Sequence, residues 1–185
     1  MKIRGKKIIS GLLLTAMMGL VIACGAAQQG MLTDTAAVRS ETDVVEGVII
    51  DDEAIALASR ATVTNTMEVA LQTAYDLVNA HRANAGAAAL TRSQALEDCA
   101  RVRAQEIVGY FSHTRPSGAE WWTVNSDIQY GENLAKLYNS ADSVVAAWMA
   151  SPTHAQNILD AEFRTLGMAI YQSGNNWYWA QEFGY

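Results

Sequence analysis

Cationic side chains are scarce in this sequence: 13 Lys and Arg face 19 Asp and Glu, for a formal charge of −6. Four of the 13 (Lys2, Arg4, Lys6 and Lys7) crowd the amino terminus, so the remainder carries 9 cations against 19 anions, a charge of −10. No basic cluster interleaved with aromatics is left. Nucleic acid, whose binding rests on neutralised phosphates, is therefore disfavoured as a partner, and so are anionic lipid surfaces. Cysteine is limited to Cys24 and Cys99, and proline to Pro116 and Pro152, which excludes a disulfide-stapled scaffold and a proline-rich linker. There is no internal repeat, no glycine-rich phosphate loop and no Gly-x-Ser-x-Gly elbow. The longest apolar run, Ile8 to Ala23, is 16 residues, short of the roughly 20 that a membrane-spanning helix needs.

That run, with its cations ahead of it, reads instead as an export segment, Met1 to Ala23, that takes no part in the folded domain. The Val21-Ile22-Ala23-Cys24 junction resembles a bacterial lipobox. It makes Cys24 the expected lipidated first residue of the exported chain, and the lipid bilayer a partner through that anchor, at the cell surface or in the periplasm. Cys99 is then left alone, and within a helical pattern it reads as a small buried apolar residue. Residues 24–65 form an acidic spacer, in which Asp34, Glu41, Asp43, Glu46, Asp51, Asp52 and Glu53 outweigh Arg39 and Arg60. The apolar cluster Val44-Val45 and Val48-Ile49-Ile50 inside it could pair as a short strand or bind a partner. Residues 66–185 are left as one domain of ordinary size.

Periodicity supplies the elements of that domain. Asn65 and Glu68 have capping-box spacing ahead of Met67, Leu71, Ala74 and Val78, which predicts an amphipathic helix ending near Gly86. Leu96, Ala100, Ala104 and Ile107 predict a second helix over Ser93 to Tyr110, with Phe111 expected to close the core behind it. A third follows Ser140, with Val144, Val145, Trp148 and Met149 as its apolar stripe. Beyond Leu159 the pattern alternates: Thr165 to Tyr171 and Trp177 to Phe183 flank a turn-forming loop and predict a hairpin, with Glu132 to Leu137 as a third strand. Trp177 and Trp179 share parity and should face one side of the sheet, with Tyr178 on the other. Core packing is their expected role, ahead of an aromatic ligand box.

Two of the three histidines carry the chemical interest. Ser151 before Pro152 reads as a helix N-cap with proline at the first helical position, which places His154 in the first turn, near the positive end of the helix dipole. The neutral imidazole favoured there is the form that ligates metal or accepts a proton. His113 lies in the loop after the second helix. His81, in the last turn of the first helix, reads as a solvated residue.

These pieces resemble the CAP superfamily, also called SCP-like, in its bacterial branch. The matching elements are Asn79-Ala-His-Arg82 with Gly86 and Leu90, Phe111-Ser-His-Thr-Arg-Pro116 with Gly118, Gly131-Glu-Asn133, Trp148 with Ser151-Pro-Thr-His154 and Asn157-Ile-Leu159, Gly167, and Trp179-Ala-Gln-Glu-Phe183. They run from about Leu77 to the carboxyl terminus in the family's order. The chain departs from the bacterial pattern at Thr153 and Ala155, where Gly and Arg are usual, and it lacks the second glutamate that eukaryotic relatives carry near Ser151.

The resemblance implies an α+β fold, a three-layer α/β/α sandwich with a small antiparallel sheet. It also implies a cleft that gathers His113, Glu132 and His154. Two imidazoles and a carboxylate match the ligand count of a zinc or similar divalent site. Glu132 either completes that shell or serves as the candidate catalytic group, which would leave the metal only two protein ligands. A binding module for a small molecule, lipid, peptide or cell-wall component is the preferred reading; a metal-assisted hydrolase acting on an envelope or extracellular substrate is the alternative. A serine nucleophile drawn from Ser112, Ser117 or Ser151 is weaker than either.

Overall fold

The structure, a computed structural model, describes residues 52–185. The export segment 1–23, the lipidation site Cys24 and the Val44 to Ile50 cluster lie outside the described residues. No glycine or proline interrupts residues 52–84, and one helix, α1 (Asp52–Asn84), fills that stretch. The capping-box spacing at Asn65 and Glu68 therefore does not begin the helix; Asn65 lies inside it. The expected stripe is present. Leu71, Ala74 and Val78 are buried, Met67 packs at the margin of the core, and residues 59–64 are exposed. The helix stops at a left-handed glycine: Gly86 has φ 74°, and Ala87 N–H donates back to the Arg82 carbonyl at 2.9 Å.

The remaining elements are β1 (Thr91–Arg92), α2 (Gln94–Gly109), a short 3-10 turn (Trp121–Val124), β2 (Gly131–Lys136), α3 (Ala141–Ala150), α4 (Pro152–Leu159), β3 (Thr165–Ser173) and β4 (Asn176–Gly184). Ser93 and Ser140 cap α2 and α3 by accepting from the backbone N–H of Leu96 and Ser143 at 3.5 and 3.3 Å. The sheet order is β1-β3-β4-β2, with β1 parallel to β3 and the other pairs antiparallel. The hairpin is tighter than the alternation suggested. Strands β3 and β4 meet across the two residues Gly174 and Asn175, and Gly174 supplies the positive φ of 59° that such a turn requires.

Helices cover both faces of the sheet, which is the α/β/α sandwich. Helices α1, α3 and α4 bury Tyr75, Val78, Val144, Trp148 and Ile158 against Phe163, Trp179 and Phe183 on one face. Helix α2 buries Ala100, Ala104 and Ile107 against Leu134, Ala169 and Ala180 on the other. Trp177 and Trp179 share the first face and Tyr178 packs on the second, as their parity requires. Phe111 corrects an expectation: it is 41% exposed instead of closing the core, with Lys136 Nζ 4.7 Å above its ring. The buried Arg103 side chain holds the Ser112 carbonyl next in the chain, and the α2 face of the core is made by Ala100, Ala104 and Ile107 without Phe111.

The closest approach of the layers occurs at Gly167 on β3. A Cβ there would lie 2.1 Å from the Leu96 carbonyl carbon and 2.2 Å from the Glu97 nitrogen, both backbone atoms of α2. Gly167→Ala must push the helix off the sheet. It should destabilise the domain by about 3 kcal/mol, read from the midpoint of urea unfolding.

Candidate functional site

The site is built around β2, an edge strand of the sheet. Side chains alternate along a strand, so the run Gly131-Glu132-Asn133 sends its two polar side chains to opposite faces. Glu132 points into the α2 layer. There its carboxylate accepts from Arg103 Nε at 2.6 Å and Nη2 at 3.4 Å, and from His113 Nδ1 at 2.7 Å. Asn133 points the other way and donates to the His154 carbonyl at 3.1 Å and to Gln181 Oε1 at 3.0 Å. Asn157 Nδ2 ties the pair together, donating to the Glu132 carbonyl at 3.1 Å and to Asn133 Oδ1 at 3.0 Å.

Arg103 organises the half of the site that holds His113. Fully buried, it donates to Glu132, to Glu106 Oε2 at 2.5 Å and to the Ser112 carbonyl at 2.7 Å, next in the chain to His113. Arg115 closes the loop from its far side, donating through Nη2 to Glu106 Oε1 at 2.8 Å. Burial alone would raise the Glu106 carboxyl, but its hydrogen bonds to Arg115 and Arg103 outweigh that and hold it below its ordinary value. The partner of His113 Nδ1 is a carboxylate oxygen with no hydrogen of its own, so Nδ1 carries a proton, and in the neutral ring the lone pair falls on Nε2.

His154 reaches the site from the opposite side, as the third residue of α4. Ser151 occupies the N-cap position, yet its side chain makes no capping bond and its hydroxyl lies 3.2 Å from Thr153 Oγ1 instead. Burial, and then the charge of His113, depress the His154 imidazole below its ordinary value, so it stays neutral further into the acid range. The far end of α4 is fastened by Arg82, also fully buried, whose Nη1 donates to the carbonyls of Ile158 and Asp160 at 2.7 and 2.9 Å and whose Nη2 donates to that of Phe163 at 3.3 Å.

The three residues expected to share a metal are thus brought together, but not as three ligands. Among the described residues no group of three or more His, Cys, Asp or Glu is arranged to hold an ion. Glu132, which the sequence leaves either as a ligand or as the candidate catalytic group, accepts from Arg103 and His113 and so stands behind His113 as an orienting carboxylate. The serine alternative does not assemble: Ser112 and Ser117 accept from the backbone N–H of Thr114 and Ala119 within their own loop, and Ser151 pairs with Thr153. His81 is half-buried at the end of α1 and belongs to no part of the site.

Sequence reasoning missed Arg103, Glu106 and a second acid, Glu182. Arg103 was visible as a cation inside the buried stripe of α2, between Ala100 and Ala104. Glu182 needed the strand pairing, which sets it directly across from Glu132 on β4. It is fully buried and accepts from Gln129 Nε2 at 2.8 Å; burial and the charge of Glu132 push its carboxyl well above the ordinary 4.5.

Fold and site together describe a small α/β/α sandwich with an ion-paired histidine, His113, at its edge strand β2 and a second, His154, on the helix across from it. The sequence model of the cysteine-rich secretory protein (CAP) family matches residues 75–183, and the chain belongs to that family. YkwD, an uncharacterized protein of Bacillus subtilis (strain 168), is 35% identical over 109 residues, which are 55% of this chain and 42% of YkwD. The chain therefore spans less than half the length of that relative. Among solved structures, an extracellular protein containing an SCP domain from Bacillus anthracis matches with a TM-score of 0.57 and 24% identity, over 65% of this chain and 40% of that one. NaASP2, solved with Zn2+, matches with a TM-score of 0.51 and 16% identity, over 65% of this chain and 82% of that one.

Two outcomes test this geometry. Arg103→Met strands a buried carboxylate and should cost about 3–5 kcal/mol, part of it recovered in an Arg103→Met, Glu132→Gln double variant followed by denaturant unfolding. The second concerns pH. His154 is depressed in the folded state, so its contribution to stability is complete above about 6.5 and is lost as pH falls through its lower folded value. His154→Gln should remove that share of the acid sensitivity, seen as a flatter dependence of melting temperature on pH.

Proposed function

We propose that the chain is an exported, membrane-anchored CAP-domain protein that binds ligands, with a cleft in which His113 and His154 hold a divalent ion such as zinc. The observation that carries the reading is the state of Glu132. Its oxygens already accept from His113 and Arg103, so the site offers imidazole lone pairs but no free carboxylate to act as general base. This favours binding over metal-assisted hydrolysis. Two imidazoles are a small donor set for zinc, and water or a ligand oxygen would complete the shell. The carboxylate–histidine pair is the usual device for presenting Nε2 to an ion. NaASP2 was solved with Zn2+, an ion that suits these donors.

Export and anchoring rest on the leader, on Cys24 and on the extracellular SCP relative from Bacillus anthracis. Among the described residues no helix is long and apolar enough to cross a membrane. The lipid on Cys24 would be the anchor, leaving the site to meet a small molecule, lipid, peptide or wall component outside the cell.

Calorimetric titration with zinc should show modest affinity in the parent, proton release on uptake, weakening as pH falls through the histidine range near about 6.5, and loss of binding in His154→Ala. Equal uptake by parent, His113→Ala and His154→Ala would overturn the metal site. Turnover of an envelope lipid, peptide or glycan that disappears in the His113, His154 double variant would replace the binding reading with the hydrolase. Cys24→Ser should shift the protein from the detergent phase to the aqueous phase; retention in the detergent phase would refute the anchor.

A further inference from the structure

The α2 face of the site holds more acid than base. Glu106, Glu132 and Glu182 converge there, against the two guanidinium groups of Arg103 and Arg115. Arg103 donates to Glu132, Glu106 and the Ser112 carbonyl, and Arg115 to Glu106 and Thr123, so no guanidinium hydrogen bond reaches Glu182. The neighbours of Glu182 are few. From α2 it faces Cys99 and Arg103; from β2, Glu132; from the segment before β2, the uncharged Gln129; from β3, its register partner Gly167, which has no side chain. Beyond Glu132 stand His113 and Arg115. Cys99, pushed up to about 11 by burial and then by Glu182 and Asp98, stays a neutral thiol.

One oxygen of Glu182, Oε2, accepts from Gln129, while the other, Oε1, is buried with no donor to serve it. Glu182 and Glu132 are nevertheless register partners on adjacent strands, side by side and both buried on the α2 face. Two ionised carboxylates cannot make a hydrogen bond with each other, and a buried contact between them would be strongly repulsive. One proton removes the conflict.

We propose that Glu182 serves the site as a neutral acid, donating its Oε1 proton to the Glu132 carboxylate and so holding that carboxylate in place as the acceptor of His113 Nδ1–H. Glu182 is a positioning residue. Glu132 then receives Arg103 Nε, Arg103 Nη2, His113 Nδ1 and the Glu182 hydroxyl, which fills the roughly four acceptor positions of a carboxylate. A carboxylate saturated in this way has no freedom to turn. His113 is locked in the tautomer that presents Nε2 to the cleft. The inference deepens the proposed site through its histidine geometry and does not depend on metal uptake.

The test uses metal-free protein, so a failure of zinc binding leaves it intact. NMR of the Glu182 carboxyl carbon should report the protonated acid at neutral pH, and ring-nitrogen NMR should report His113 with its proton on Nδ1. Glu182→Gln supplies an N–H donor to Glu132 and a carbonyl acceptor to Gln129, and should keep the His113 tautomer. Glu182→Ala should release it into a mixture of both forms. Because the Glu182 carboxyl is raised on folding, its contribution to stability is full below 4.5 and is lost as pH rises toward the folded value. The melting temperature of Glu182→Gln should therefore gain on the parent as pH rises above 4.5. If Glu182→Ala does not fold, the parent spectra and Glu182→Gln still decide. An ionised carboxyl at neutral pH, or loss of the His113 tautomer in Glu182→Gln, would overturn the proposal.

Discussion

A buried guanidinium, Arg103, is the group on which the site depends. Its planar fork faces Glu132 with two nitrogens and reaches Glu106 and the Ser112 carbonyl with the same head, so one side chain of α2 joins the helix to the edge strand and to the histidine loop. Taking such a charge out of water is costly, and only a full set of acceptors offsets the cost. Those acceptors come from three separate stretches of chain, and the fold must bring all of them to the same end of α2. A lysine could not do this, having a point charge where the geometry requires directed, coplanar donors.

The opposite half of the site is assembled without an acid, on one guanidinium and two amides. Arg82 grips the carbonyl end of α4, Asn133 holds the His154 carbonyl, and Asn157 returns from α4 to the backbone of β2. His154 is thereby carried on a short helix fixed at both ends, and burial keeps its imidazole neutral. The division has a chemical consequence: the His113 side is tied by ion pairs, and the His154 side by hydrogen bonds to backbone carbonyls and amides.

The elements were legible because burial imposes its period on the residues that make it. Leu71, Ala74 and Val78 on α1, Leu96, Ala100, Ala104 and Ile107 on α2, and the alternation of β3 and β4 all announce which face is covered. The start of α1 was not legible. Absence of a breaker carries a helix back past any local cap, and Asp52 precedes the expected start. Phe111 was misread for a related reason, since hydrophobicity says that a ring favours burial and not which residues make the face beside it.

The sequence by itself determined the family, the three-layer architecture, and the nomination of His113, Glu132 and His154, because these are written in short runs whose spacing survives without a structure. Only the tertiary structure decided what Glu132 does and that Glu182 stands across from it. Residues 132 and 182 are distant in the chain and meet through the pairing of β2 with β4. Hydrogen-bond partners and burial, which set the role and the proton of a carboxyl group, are properties of that meeting and not of either residue alone.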